Sequence, residues 1–163
     1  MVRAYQAACT VVIQRYDGHL VQYLGDGLLV YFGYPQAHED DAQRAVRAGL
    51  DVAAAVAALN TRLAQPHGVR VAVRIGIHTG IAVVGEIGSG PRQEQLALGD
   101  TPNVAARLQG LTAPDTVLVS AATWRLVQGY FAGHGVGLQT LSPCSLAGRS
   151  LLSPGASGPT SPR

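Results

Sequence analysis

An α+β domain with a mainly antiparallel sheet and helices is the fold class this sequence predicts, and three stretches predict it. Residues 19–32 set two apolar runs on either side of Gly25-Asp26-Gly27, the composition of a tight hairpin whose central residues tolerate positive φ. Ala45, Gly49, Val52, Val56, Leu59 and Leu63 recur at the spacing of one helical face. Residues 69–77 alternate as a strand, with Arg70 and Arg74 on one face and Val71, Val73 and Ile75 on the other. Thr79-Gly80 then turns the chain into a second apolar strand, 81–84. The expected arrangement places the helices on one face of the sheet.

Taken in order, Val2, Tyr5, Cys9, Val12 and Tyr16 recur at steps of three and four, so the chain opens in an amphipathic helix. The hairpin follows. Its second run, 28–32, is wholly aliphatic and aromatic and reads as an interior strand covered on both faces, with Asp26 at the tip. Tyr34-Pro35 breaks the pattern, and His38-Glu39-Asp40-Asp41 puts acidic groups where a helix N-terminus favours them. Pro66-His67-Gly68 ends that helix. The glycine-rich stretch 85–91 lacks the Gly-Lys-Ser/Thr ending of a P-loop. Thr101 and Pro102 start a short helix over 103–109 that Gly110 stops, and Asn103 and Arg107 share one of its faces. An amide and a guanidinium near a helix N-terminus can hold an anion in a fixed orientation. Residues 115–119 form a last strand, and Ser120 caps a final helix containing Trp124, Leu126 and Val127.

This order is a βαββαβ unit of the ferredoxin-like kind with its first strand missing. A buried strand edge without its neighbour leaves amides and carbonyls unpaired, which makes the chain look incomplete at its front. Residues 1–131 are expected to form the partial domain. Residues 132–163 are expected to be a divergent segment that from 142 is a disordered tail, rich in Ser, Pro and Gly and free of acidic residues.

With 163 residues the chain is long enough for one domain with a real core. A net charge of +2 argues against a general nucleic-acid or membrane-surface binder, and no stretch has the length of a membrane span. All 12 basic residues are arginine. Cys9 and Cys144 are too few and too far apart for a disulfide framework, so the expected compartment is the cytoplasm. His78 has no second histidine or cysteine at ligand spacing and reads as a packed or exposed side chain.

Three blocks, Tyr-Leu-Gly-Asp-Gly-Leu-Leu-Val-Tyr-Phe-Gly, Arg-Ile-Gly-Ile-His-Thr-Gly and Gly-Asp-Thr-Pro-Asn-Val-Ala-Ala-Arg, resemble the class III adenylate/guanylate cyclase catalytic domain in sequence and order. The likeness runs from about residue 1 to 131. It implies the nucleotide cyclase fold, with Asp26 as the second of two metal-binding aspartates and Asn103 and Arg107 as the pair that stabilises the transition state. The implied reaction makes a 3′,5′-cyclic nucleotide and pyrophosphate from ATP or GTP, cAMP being preferred to cGMP, on a two-metal Mg2+ or Mn2+ site. Resemblance further implies a head-to-tail homodimer in which the aspartates and the Asn/Arg pair of one site come from opposite subunits. Apolar Ile81, Val83, Val84 and Ile87 fit burial at that interface. The chain departs from the pattern in four ways. No residue matches the first metal aspartate; Gln22 and Leu96 stand at the base-recognising positions; and a terminal lysine that contacts the triphosphate has no counterpart. The alternative implied is a catalytically inactive cyclase-like domain that dimerises or regulates within a larger signalling protein.

Overall fold

The computed structural model of the protein describes residues 2–67, 70–87, 94–133, 135, 139–141, 144–146 and 148–152. Helix α1 (Val2–Arg15) leads into the hairpin β1 (His19–Leu24) and β2 (Gly27–Tyr31), then into the long helix α2 (Asp41–His67). After β3 (Arg74–Ile77) come β4 (Val83–Ile87) and β5 (Glu94–Leu98), helix α3 (Thr101–Leu111), β6 (Thr116–Ser120) and helix α4 (Ala121–Val127). Three short strands follow: β7 (Gln139–Leu141), β8 (Cys144–Leu146) and β9 (Gly148–Leu152).

Among the described residues the strands pair as β1-β2, β3-β6-β9, β4-β5 and β7-β8. All of these pairings are antiparallel except β3 with β6, which is parallel and runs in register from Arg74 opposite Thr116 to Ile77 opposite Val119. The α+β class and the mainly antiparallel pairing agree with the sequence. Helices on one face do not. Val117 and Val119 of β6 bury with Val46 of α2 and Val127 of α4, while Leu118, pointing the other way, buries with Val104 and Leu108 of α3. The central pair β3 and β6 is therefore covered on both sides, which explains why 117–119 is a continuous apolar run rather than an alternating one.

A second cluster ties the front of the chain to α2. Cys9, Val12 and Ile13 of α1 pack with Val52, Ala53 and Val56 of α2 and with Val73, and Leu28 and Val30 of the hairpin lean on it. Every residue of β2 is half-buried rather than buried, because its hydrogen-bonded partner among the described residues is β1 alone. The expectation of a strand covered on both faces is corrected accordingly.

The regular part of the strand expected over 69–77 is shorter, Arg74–Ile77, but its sidedness holds: Val73 is buried while Arg70 and Arg74 are exposed. Asp115, at φ 60°, clamps the entry to this strand. Its carboxylate accepts from the Val73 amide at 3.2 Å and from Arg70 Nη2 at 2.6 Å, and its own amide donates to the Val73 carbonyl at 2.6 Å. Strand β5 had no sequence signal in the glycine-rich region and emerges only as the partner of β4. The last strands differ from the expected tail, since β9 pairs with β6 from Val117 opposite Leu152 to Ser120 opposite Gly148. The rest of the expected tail, 153–163, lies outside the described residues.

Candidate active site

Asp26 sits at the exposed tip of the β1-β2 hairpin, where Leu24 pairs with Gly27 across a two-residue turn. Gly25 alone carries the left-handed φ, 63°, so Asp26 keeps an ordinary φ and its side chain is left to solvent. The expectation that the central turn residues tolerate positive φ is thus used at Gly25 alone. Burial chiefly, together with neighbouring Cys9 and the negative charge of Asp26, pushes the Tyr5 phenol well above its ordinary range, which places Tyr5 of α1 within electrostatic reach of the hairpin tip. Gln22 lies on the same hairpin, exposed and opposite Leu29, just after a register shift in β1.

Asn103 and Arg107 are held by α3, whose seat is unusually close. A side chain at Gly76 of β3 would collide with the Ala105 carbonyl and the Gln109 amide, so the helix backbone rests directly on the strand. A glycine inside the Ile-Gly-Ile strand pattern was the available signal for this close approach. Val104 and Leu108 bury beneath the helix, and the neighbouring flank presents Asn103, exposed, and Arg107, half-buried. The N-terminus of the helix is tethered to the chain before β4, and its C-terminus is closed by a bond onto its own last turn. Thr101 Oγ1 donates to the Ile81 carbonyl at 2.6 Å, and Thr112 Oγ1 donates to the Leu108 carbonyl at 2.6 Å. The expected capping role of Thr101 is thus replaced: Asp100 is the N-cap residue, without a side-chain cap bond, and Pro102 stands in the first turn as expected. Gly110 does not stop the helix, which ends at Leu111.

Arg107 Nη1 is buried and has no hydrogen-bond partner among the described residues. A desolvated guanidinium N–H without an acceptor costs free energy on the order of 1–3 kcal/mol, so this atom is poised for an anionic or carbonyl ligand. Tyr31 Oη is the other buried side-chain atom in this state among the described residues.

Leu96 lies on β5 with its backbone opposite Gly85 of β4. The predicted residues thus fall on three supports: Gln22 and Asp26 on the hairpin, Asn103 and Arg107 on α3, and Leu96 on β5. Among the described residues no hydrogen bond or ion pair joins these supports within one chain. Nor is there, among them, a group of three His, Cys, Asp or Glu side chains able to enclose a metal ion. Asp26 offers one carboxylate, which suits a cation shared with phosphate oxygens and water rather than an all-protein cage.

Sequence reasoning missed the polar cluster behind α3. His78 Nδ1 lies 2.9 Å from Ser120 Oγ, Thr79 Oγ1 lies 2.9 Å from Thr123 Oγ1, and the Thr123 amide donates to Ser120 Oγ at 3.2 Å as the cap of α4. Only the cap was legible, from the position of Ser120.

Residues 2–152 match the sequence model of the adenylate and guanylate cyclase catalytic domain. The chain belongs to that family. It is 35% identical over 124 residues to adenylate cyclase 1 of Rhizobium meliloti, an alignment covering 75% of this chain and 19% of that protein. It is 30% identical over 130 residues to human retinal guanylyl cyclase 1, covering 78% of this chain and 11% of that one. The chain therefore spans about a fifth or less of the length of these relatives. Among solved structures, the guanylyl cyclase Cya2 superposes with a TM-score of 0.83 at 27% identity, covering 96% of this chain and 79% of that one. The adenylyl cyclase CyaB from P. aeruginosa reaches a TM-score of 0.86 at 22% identity, covering 93% of this chain and 80% of that one, and shares the fold. A further fold neighbour, the guanylate cyclase domain of RhGC from Catenaria anguillulae, is described in complex with GTP.

Proposed function

We propose that this domain converts a nucleoside triphosphate into a 3′,5′-cyclic nucleotide and pyrophosphate, with ATP preferred to GTP, in cytoplasmic signal transduction. The observation that carries the reading is the buried, unpartnered Arg107 Nη1 on the same helix flank as exposed Asn103. In the reaction the ribose 3′ hydroxyl gives up its proton to solvent water as its oxygen bonds to the α-phosphorus, the bond from that phosphorus to the bridging oxygen breaks, and pyrophosphate leaves with the electron pair. Arg107 donates to the α-phosphate oxygens, where negative charge concentrates in the transition state. Asn103 holds the ribose so that the attacking oxygen lies in line. Asp26 is the residue that would hold a divalent cation, Mg2+ or Mn2+, with the nucleotide phosphates; such an ion neutralises phosphate charge. Gln22 can hydrogen-bond a purine edge and Leu96 can only pack against one. The 35% identity to an adenylate cyclase supports the adenine preference, while the 27% identity to the guanylyl cyclase Cya2 keeps GTP as the second substrate to assay.

Asp26 and the α3 pair stand on separate supports, which favours a site assembled from a hairpin of one subunit and α3 of another in a head-to-tail homodimer. Ile81 and Val83, 90% and 59% exposed, supply an apolar surface for such an interface. The alternative, an inactive cyclase-like module within a larger signalling protein, is favoured by the single hairpin carboxylate without a companion group among the described residues.

An assay of cyclic nucleotide from ATP and GTP, in magnesium and in manganese, on this chain and on one extended upstream through a further strand, separates the two. Turnover by the extended chain that Asp26→Ala abolishes, and that Arg107→Ala lowers by roughly two to three powers of ten with little change in KM, supports the enzyme. Dimerisation with nucleotide turnover absent in both chains supports the inactive module.

A further inference from the structure

Gly80 lies beside Thr101 of α3 and beside His78 of its own turn. A Cβ built on it would lie 2.7 Å from Thr101 Oγ1, the first residue of α3, and 3.1 Å from His78 Nε2. The other ring nitrogen of His78 is braced at 2.9 Å on Ser120, which caps α4. Thr79 is fastened to the same helix through Thr123 at 2.9 Å. One residue past the glycine, the Ile81 carbonyl receives the Thr101 hydroxyl at 2.6 Å. The four-residue turn 78–81 is therefore fastened at one end to α4, through Ser120 and Thr123, and at the other to the N-terminus of α3, through the Ile81 carbonyl.

We propose that His78 is a positioning residue for α3: its ring, braced on Ser120, holds the Thr79-Gly80 turn on which Thr101, and with it the Asn103 and Arg107 flank, is hung. The inference rests on the proposed function for its catalytic meaning and on contact geometry for its structural content. Asp100, in the loop that enters α3, is the charged group that acts on His78, and it favours the protonated ring. Burial acts against it and prevails, holding the ring below the ordinary imidazole range. Ser120, Thr123, Thr79 and Thr101 supply hydroxyls and no charge. A ring that gains a proton must donate from both nitrogens, one toward Ser120 and the other on the Gly80 side, which alters how the turn that carries the Ile81 carbonyl is held.

The test is an NMR titration of the chain, following the His78 ring and the Thr101 and Asn103 amides, with Val56 as a core control. The expected result is that the two α3 amides move with the midpoint of the His78 ring, below about 6.5, while Val56 stays still. His78→Gln, neutral at every pH, should remove that movement and leave the folded spectrum in place. Amides that stay flat while the ring titrates overturn the proposal. So does a midpoint in the carboxylate range, or movement that persists in His78→Gln, since both assign the effect to Asp100. The readout needs no turnover, so it separates from the cyclase assay. Loss of the coupling with activity still dependent on Arg107 rejects the role of His78 alone, and coupling without any turnover rejects the cyclase reading alone.

Discussion

His78 also makes a prediction about stability. Its folded-state ring is held below the ordinary imidazole value by burial, with Asp100 opposing. The unfolded chain therefore binds more protons than the folded one as pH falls below about 6.5. Stability contributed by the neutral ring is present above that value and is lost as pH falls from there through the folded-state midpoint. Denaturant melts at pH 7.5, 6.5 and 5.5 should show the midpoint concentration dropping on acidification, and His78→Gln should drop less. Cys9 behaves differently. It is fully buried and free, and burial outweighs the Tyr5 hydrogen bond in raising its thiol, so it acts as a packing residue of α1 rather than as a nucleophile.

At the scale of elements, the site depends on how α3 is seated. Gly76→Ala places a methyl against the backbone of Ala105 and Gln109, neither of which can move without the helix. The expected cost is about 1–3 kcal/mol, as for overpacking of a closed contact, and nucleotide turnover should fall further than stability because Asn103 and Arg107 ride on the displaced helix. Chemical denaturation read beside a cyclase assay checks this. Ala105→Gly in the same chain should not restore either quantity, since the clash is with backbone atoms rather than with the Ala105 methyl. Val117 offers the contrast. It is wholly buried against α2 and α4, and Val117→Ala should lower stability by about 2 kcal/mol while leaving KM unchanged in the folded fraction.

Across the whole molecule, the proposed site shared between two subunits makes assembly the property to test. A mixture of Asp26→Ala chains, inactive, and Arg107→Ala chains, nearly so, should recover part of the turnover of the upstream-extended protein, because in the proposed arrangement one of the two sites of the heterodimer has both residues intact. Sedimentation should show dimer at tens of micromolar, roughly the concentration at which a transient interface of micromolar Kd is occupied, and Ile81→Asp should shift it toward monomer. Two folded, dimeric mutants that fail to rescue each other would show that Asp26 and Arg107 do not share an intersubunit site.

Local rules determined much of this protein. The Gly25-Asp26-Gly27 turn, the α2 stripe, the Ser120 cap and the pairing of Asn103 with Arg107 on one helix flank were legible because each depends on residues a few positions apart. The motif blocks pointed to the cyclase family, which the match over 2–152 establishes. Contacts distant in sequence escaped that reading. Strand β5 exists through β4, and β9 through β6; the covering of β3 and β6 on both faces depends on where α3 comes to rest. Thr101 lost its expected cap role to the Ile81 carbonyl, and His78 gained Ser120, 42 residues away, as its brace. Hydrogen-bonding groups take whichever partner the packed chain brings near, and that proximity is fixed only when the helices and strands close around a common core.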